Sequence, residues 1–143
     1  MAYDAQQLLL MTQAQLDALF TNSPAGDIPD GEGHGTAIIA AGAVFNPEIA
    51  AFINHFAWQG KIFDAKTGYL KNKILPFGIA AIAAKVSKGE SWFDRRECIV
   101  LDYSETSLVP GWTRDEIRMI EPGFYLGAVY FNHKRLFHFS LKF

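Results

Sequence analysis

Apolar and polar residues alternate along the end of the chain. In "RLFHFSLKF" (135–143), Phe137, Phe139, Leu141 and Phe143 occupy every second position, with His138, Ser140 and Lys142 between them. A period of two marks an antiparallel strand with one face in a core and the other turned away from it. "ECIVLDY" and "FYLGAVYF" are still richer in strand-forming side chains. From Gly60 onward such segments are short and punctuated by turn residues. The pattern predicts strands near 60–64, 69–75, 79–87, 97–104, 112–120, 124–131 and 135–142. The turns fall at "AKTG", "PFG", "KGESWFDRRE", "SLVPG", "EPG" and "FNHK".

The period changes to a helical one in the first third. Residues 4–21 predict a helix broken at Thr12, because "TQAQ" fits a capping box with Thr12 as the cap and Gln15 reaching back. Leu16, Leu19 and Phe20 then share one side. "NSPAGDIPDGEGHG" (22–35), with four glycines and two prolines, reads as a loop covering a barrel mouth, and "TAIIAAGAVF" as a short strand after it. A helix over 47–57 has Asn46 as N-cap and Pro47 in the first turn. Ile49, Phe52, Ile53 and Phe56 form its apolar stripe.

Two segments carry conflicting signals. "IAAIAAKVSKG" (79–89) is alanine-rich, with Ile79, Ile82, Ala83 and Val86 at helical spacing, so local propensity favours a helix there. Thr113 and Glu116 likewise form a capping box for a short helix over 114–120, although Pro122 disfavours helical geometry at Glu121. A meander of six or seven strands behind helical segments closes on itself, because closure removes edge strands. The expected architecture is therefore mainly β, a single domain over 1–143 built as an antiparallel barrel of about seven or eight strands with N-terminal helical segments. The alternative is an α+β cone, a curved sheet with helices over one mouth.

Composition sharpens this picture. Twelve Phe, five Tyr and three Trp need a large core or a cavity lined by rings. A net charge of −2 without any basic run gives no electrostatic reason to expect nucleic acid. No stretch approaches eighteen uninterrupted apolar residues, so no membrane-spanning helix is expected. "MAYDAQQLLLM" lacks the basic start and long apolar run of a signal peptide, which points to the cytoplasm. The lone Cys98 has no internal partner and reads as a buried, inert thiol. A homodimer is compatible with the sequence, which does not fix the oligomeric state.

Several stretches together resemble a known family. "WQGKIF" (58–63), Asn72, "GESWFD" (89–94), "IVLDYS" (99–104), "RDEIR" (114–118) and "PGFYLGAVYF" (122–131) are similar to a family of small, uncharacterised bacterial proteins. That family in turn resembles lipocalin-like, or calycin, small β-barrels. A more distant similarity is to the G-x-W-x-G barrel family, matched at Trp58 and Gly60 with Phe56 in place of the first glycine. The resemblance implies that 79–87 and 112–120 are strands. It also implies a Trp from the first strand stacked on a late arginine, here Trp58 with Arg114, Arg118 or Arg135.

The charge block "RDEIR" holds the candidate chemistry. On a strand, Trp112, Arg114, Glu116, Arg118 and Ile120 share one face, and Thr113, Asp115, Ile117 and Met119 the other. Whichever face turns inward brings charge into the barrel. If it is the arginine face, Arg114 and Arg118 make a fork for a carboxylate or phosphate end. The alternative is a structural ion-pair ladder of Arg114, Glu116 and Arg118 with Asp102 or Glu97 on a neighbouring strand, or a face turned to water. Tyr103, Trp58, Trp112 and Tyr125 complete the expected ligand-binding set. Asp102, Glu116 and His138 are the acid–base candidates, with Asp102 alternatively satisfied by the "SETS" backbone or by an arginine. Asp27, Asp30, Glu32 and His34 miss the calcium-loop spacing, and glycines 31, 33 and 35 do not form a dinucleotide fingerprint. His34, His55, His133 and His138 show no ligand spacing, so neither a metal nor a cofactor is expected.

The expected function is to bind a small hydrophobic or amphipathic, even anionic, molecule in an aromatic-lined barrel. The runner-up is an isomerase, cyclase or lyase acting on a hydrophobic molecule. A third reading is a packed barrel with a structural or partner-binding role.

Overall fold

The computed structural model describes residues 3–40, 58–74, 79–104 and 112–143. The helix expected over 47–57 lies outside them. Two short helices, α1 (Ala5–Leu9) and α2 (Gln13–Thr21), precede eight strands. These are β1 (Gly31–Ile38), β2 (Trp58–Asp64), β3 (Tyr69–Ile74), β4 (Ile79–Glu90), β5 (Glu97–Asp102), β6 (Thr113–Glu121), β7 (Phe124–Phe131) and β8 (Lys134–Lys142). Each strand pairs antiparallel with its neighbours in sequence, and β8 returns to β1, so the sheet is a closed eight-stranded barrel. The barrel expectation holds.

The helix break at Thr12 is real, and each helix starts with a reciprocal capping box: Asp4 with Gln7, then Thr12 with Gln15. Both ambiguous segments are strands. Hydrogen bonding on two sides, by β3 and β5, overrides the helical propensity of 79–90, and alternation buries Ala84 and Val86. Two tight hairpins match the predicted turns. Pro122–Gly123 has its glycine at φ +75°, and Asn132–His133 has both central residues at positive φ.

One expectation is corrected. "GEGHG" is not loop: it is the first half of β1, and the loop ends at Asp30. The glycines are what make this strand workable. A Cβ on Gly33 would meet the Phe143 ring at 2.6 Å, and one on Gly60 of β2 would meet Gly33 O at 2.2 Å. Residues 22–30 instead cross the end of the barrel that carries the β2–β3 and β6–β7 turns. Met119 N donates to Pro24 O, Tyr125 Oη donates to Asp27 O, and Ala65 N donates to Asp30 Oδ1. Phe143 closes the same end against Phe63 and Tyr125.

Two apolar clusters follow from the strand period. Phe63, Leu70, Val86, Leu101, Ile117, Val129 and Phe139 pack inside the barrel. Ile38, Cys98, Val100, Phe124 and Leu126 face outward and pack against Leu8, Leu16 and Phe20 of the helices. The helices therefore cover part of the outer wall.

Candidate functional site

Burial settles which face of β6 looks inward. Ile117 belongs to the interior cluster and Met119 packs on it, so Thr113 and Asp115 share the inward face. Arg114, Glu116 and Arg118 point outward, beneath the helices and the β4–β5 connection. The charge carried into the lumen is Asp115.

Asp115 meets Lys61 of β2 at 3.1 Å, and both side chains are 4% exposed. Lys61 Nζ also donates to Tyr103 Oη and lies 5.2 and 5.3 Å from the ring centroids of Tyr103 and Phe139. Burial pulls the Lys61 ammonium below its usual range while Asp115 supports it. Burial pushes the Asp115 carboxyl up, opposed by Lys61 and by its hydrogen bond with Tyr103. Two residues away on the same face, Thr113 is 2% exposed, and its Oγ1 has no hydrogen-bond partner among the described residues. The Thr113 carbonyl accepts from Tyr103 N at 3.1 Å, so the two lie side by side. Apolar neighbours come from the register: Leu101 and Val129 flank Asp115, and Phe137 pairs with Val129. Gly127 lets the Phe139 ring lie flat across β7, since a Cβ there would stand 2.3 Å from Phe139 Cζ. Asn72 is the register partner of Lys61 on β3.

The outward charges form a structural girdle. Arg118 is 1% exposed, and its donors are consumed by Asp94 Oδ1 and Oδ2 and by the carbonyls of Phe20, Arg96 and Glu97. These contacts use the full donor set of a guanidinium. The Arg118 hydrogen bonds in turn hold the Asp94 carboxyl down at about 2. Glu116 is fully buried and accepts from Ser91 Oγ at 2.6 Å, Trp92 N at 2.7 Å and Arg114. Arg114 lies 4.3 Å over the Trp92 ring, Arg118 4.4 Å over Phe20, and Arg135 4.9 Å over Phe93. These rings are not the expected one: the Trp58 side chain, the partner expected for a late arginine, lies outside the described residues.

The expected site residues divide accordingly. Arg114 and Arg118 are not a head-group fork in the lumen, because they face outward and serve the β4–β5 connection. Trp112 also lies outside, edge-on to Trp92 at 5.1 Å. Tyr103 and Tyr125 do face the lumen, Tyr103 in the polar cluster and Tyr125 at the closed end. Asp102 accepts from Ser104 N at 2.9 Å, the backbone satisfaction that was its alternative reading. His138 is buried on the outer face. Its Nδ1 meets Gly127 O at 3.1 Å, and its Nε2 meets the Gln13 amide at 2.7 Å. Burial, with Arg135 nearby, depresses it to about 4, which keeps it neutral. Ser140 shares its outward face. Lys61 is a candidate the sequence pattern did not single out; its signal is a lone lysine in the inward register of "GKIF", two residues from Phe63.

No family model matches this chain, and no curated protein matches it. Among solved structures, a crystal structure of a protein from Thermomonospora curvata is similar, with a TM-score of 0.69 at 14% identity. The match covers 93% of this chain and 88% of that one. At that identity the likeness shows the fold, a small bacterial barrel, and nothing of the chemistry. Among the described residues no helix is long and apolar enough to cross a membrane.

Proposed function

We propose that the barrel holds a small apolar or amphipathic molecule in its interior, as lipocalin-like barrels do. Its polar end sits at Lys61, Asp115 and Tyr103, and its apolar part lies against Leu101, Val129, Phe137 and Phe139. The observation that carries this reading is the Lys61–Asp115 ion pair buried among the largely apolar side chains described inside the barrel. Such a pair is expensive to bury, and hydrophobic side chains of similar volume would stabilise the barrel as well or better. A few convergent polar groups in an apolar concavity are the usual form of a small-molecule site. The reading includes a cytoplasmic location, which suits a single reduced thiol.

One observation favours a second reading. An amine, a carboxylate and a phenol within hydrogen-bonding reach form an acid–base set suited to an isomerase or lyase. In that case Lys61, Asp115 and Tyr103 carry the proton transfers. Asp102, Glu116 and His138 are already committed to backbone, ion-pair and helix-docking contacts.

Native mass spectrometry of protein purified without denaturation tests the binding reading. A co-purifying small molecule is expected on the native chain and not on a Lys61→Met/Asp115→Leu variant. A bare chain that also takes up no apolar probe in a fluorescence titration would reject it.

A further inference from the structure

Among the described residues, Lys61 and Asp115 are the charged ones buried in the lumen, and paired with each other their charges cancel. The cancellation does not depend on where the shared proton sits: ammonium with carboxylate and amine with carboxylic acid are both neutral as a pair. An arriving carboxylate would place a second negative charge beside Asp115 in a medium of low dielectric. An arriving ammonium would do the same beside Lys61 with the opposite sign. The arginines that could have offset an anion are on the other side of the wall, with the Arg118 donors consumed.

The second observation is the Thr113 hydroxyl. It is buried on the same inward face as Asp115, beside Tyr103, and has no partner among the described residues. Buried hydroxyls are ordinarily satisfied, and a hydroxyl both donates and accepts. It can donate to a carbonyl, or donate to and accept from a hydroxyl, without adding charge beside the Lys61–Asp115 pair.

Resting on the binding reading above, we infer that the bound molecule ends in an uncharged oxygen function, a hydroxyl or a carbonyl. That oxygen is seated against Thr113 Oγ1 beside the Lys61–Asp115 pair. An anionic lipid-like molecule, admissible from sequence alone, is the wrong ligand for this lumen.

The test titrates the full chain near neutral pH, by tryptophan fluorescence and calorimetry, with octanol, decanol and dodecanol. The matching aldehydes, carboxylic acids and primary amines complete the series. Alcohols and aldehydes are expected to bind at least about tenfold more tightly than acids and amines of equal length. Asp115→Asn removes one charge of the pair and is expected to reverse the order in favour of the acids. Thr113→Val, nearly isosteric, is expected to keep or raise the melting temperature while weakening alcohol binding about three- to tenfold. This variant carries the test if Asp115→Asn does not fold. Acids binding the native chain as well as alcohols would overturn the inference and leave the binding reading standing. Unchanged alcohol affinity in Thr113→Val would overturn the proposed seat. Failure of every probe on the native chain would take the binding reading down with it.

Discussion

Lys61 and Asp115 meet at 3.1 Å although β2 and β6 stand half a turn apart in the eight-stranded ring. The pair therefore bridges the lumen itself and does not lie along one wall. It ties opposite sides of the sheet together among Leu101, Val129 and Phe139, with the Tyr103 and Thr113 hydroxyls beside it. Both the stability of the barrel and the character of its interior depend on it.

Breaking this bridge from one side leaves an uncompensated charge in the core. Lys61→Met or Asp115→Leu alone is expected to cost about 3–5 kcal/mol, and the double substitution much less than the sum. Urea denaturation of the four members of the cycle measures this. Additive losses would show that the two groups do not interact.

Arg118 fastens the β4–β5 connection and the end of α2 to the barrel. Arg118→Ala leaves the carbonyls of Phe20, Arg96 and Glu97 without their donor, and is expected to destabilise by about 3 kcal/mol. Hydrogen exchange should rise in 91–96 and in α2 before the barrel strands are affected. Affinity for a lumen ligand, compared under conditions where both proteins are folded, should change little. A selective loss of acid binding would instead restore the arginine to the ligand site.

His138 makes stability depend on pH. Its folded value of about 4 lies below the unfolded value of about 6.5, so the unfolded chain takes up the proton first as pH falls. Stability is full above about 6.5 and declines toward about 4, by up to ~3 kcal/mol. Arg135 and Asp17 stand beside the ring, paired with each other at 2.8 Å. Protonation removes the Nε2 acceptor that meets Gln13, so α2 should loosen on the same titration. His138→Gln should flatten the decline seen by denaturation at stepped pH. A wild-type curve with no slope between pH 4 and 6.5 would contradict the assignment.

Cys98 lies beneath the helices, fully buried, with its thiol pushed up to about 12 chiefly by burial. Thiol reagents should therefore modify the native protein far more slowly than the unfolded chain, because the thiolate is the reactive form. The rate in urea should follow the unfolding transition. Rapid modification in buffer would mean that the helical cover opens on its own.

Much of the architecture is written in local patterns. Alternation over "RLFHFSLKF", the Pro-Gly turn after Glu121 and the capping box at Thr12 each express one residue's neighbours, so each is legible without the fold. The same reading errs where the decisive neighbour is remote. "GEGHG" looks like loop until Phe143 and Gly60 are packed against it, from positions far along the chain. The strand over 79–90 looks helical until β3 and β5 hydrogen-bond to both its sides.

The site shows the same boundary. Alternation fixed that Arg114, Glu116 and Arg118 share one face of β6 and Asp115 the other, and that charge would enter a closed barrel either way. Which face turns inward could not follow from β6 alone, because a period of two is symmetric under exchange of the faces. The choice was made by what covers the outside: Phe20, Asp94 and the carbonyls that Arg118 satisfies exist only once α2 and the β4–β5 connection are docked. The partnership of Lys61 with Asp115 is decided later still, by closure of the ring, which brings opposite strands within hydrogen-bonding reach.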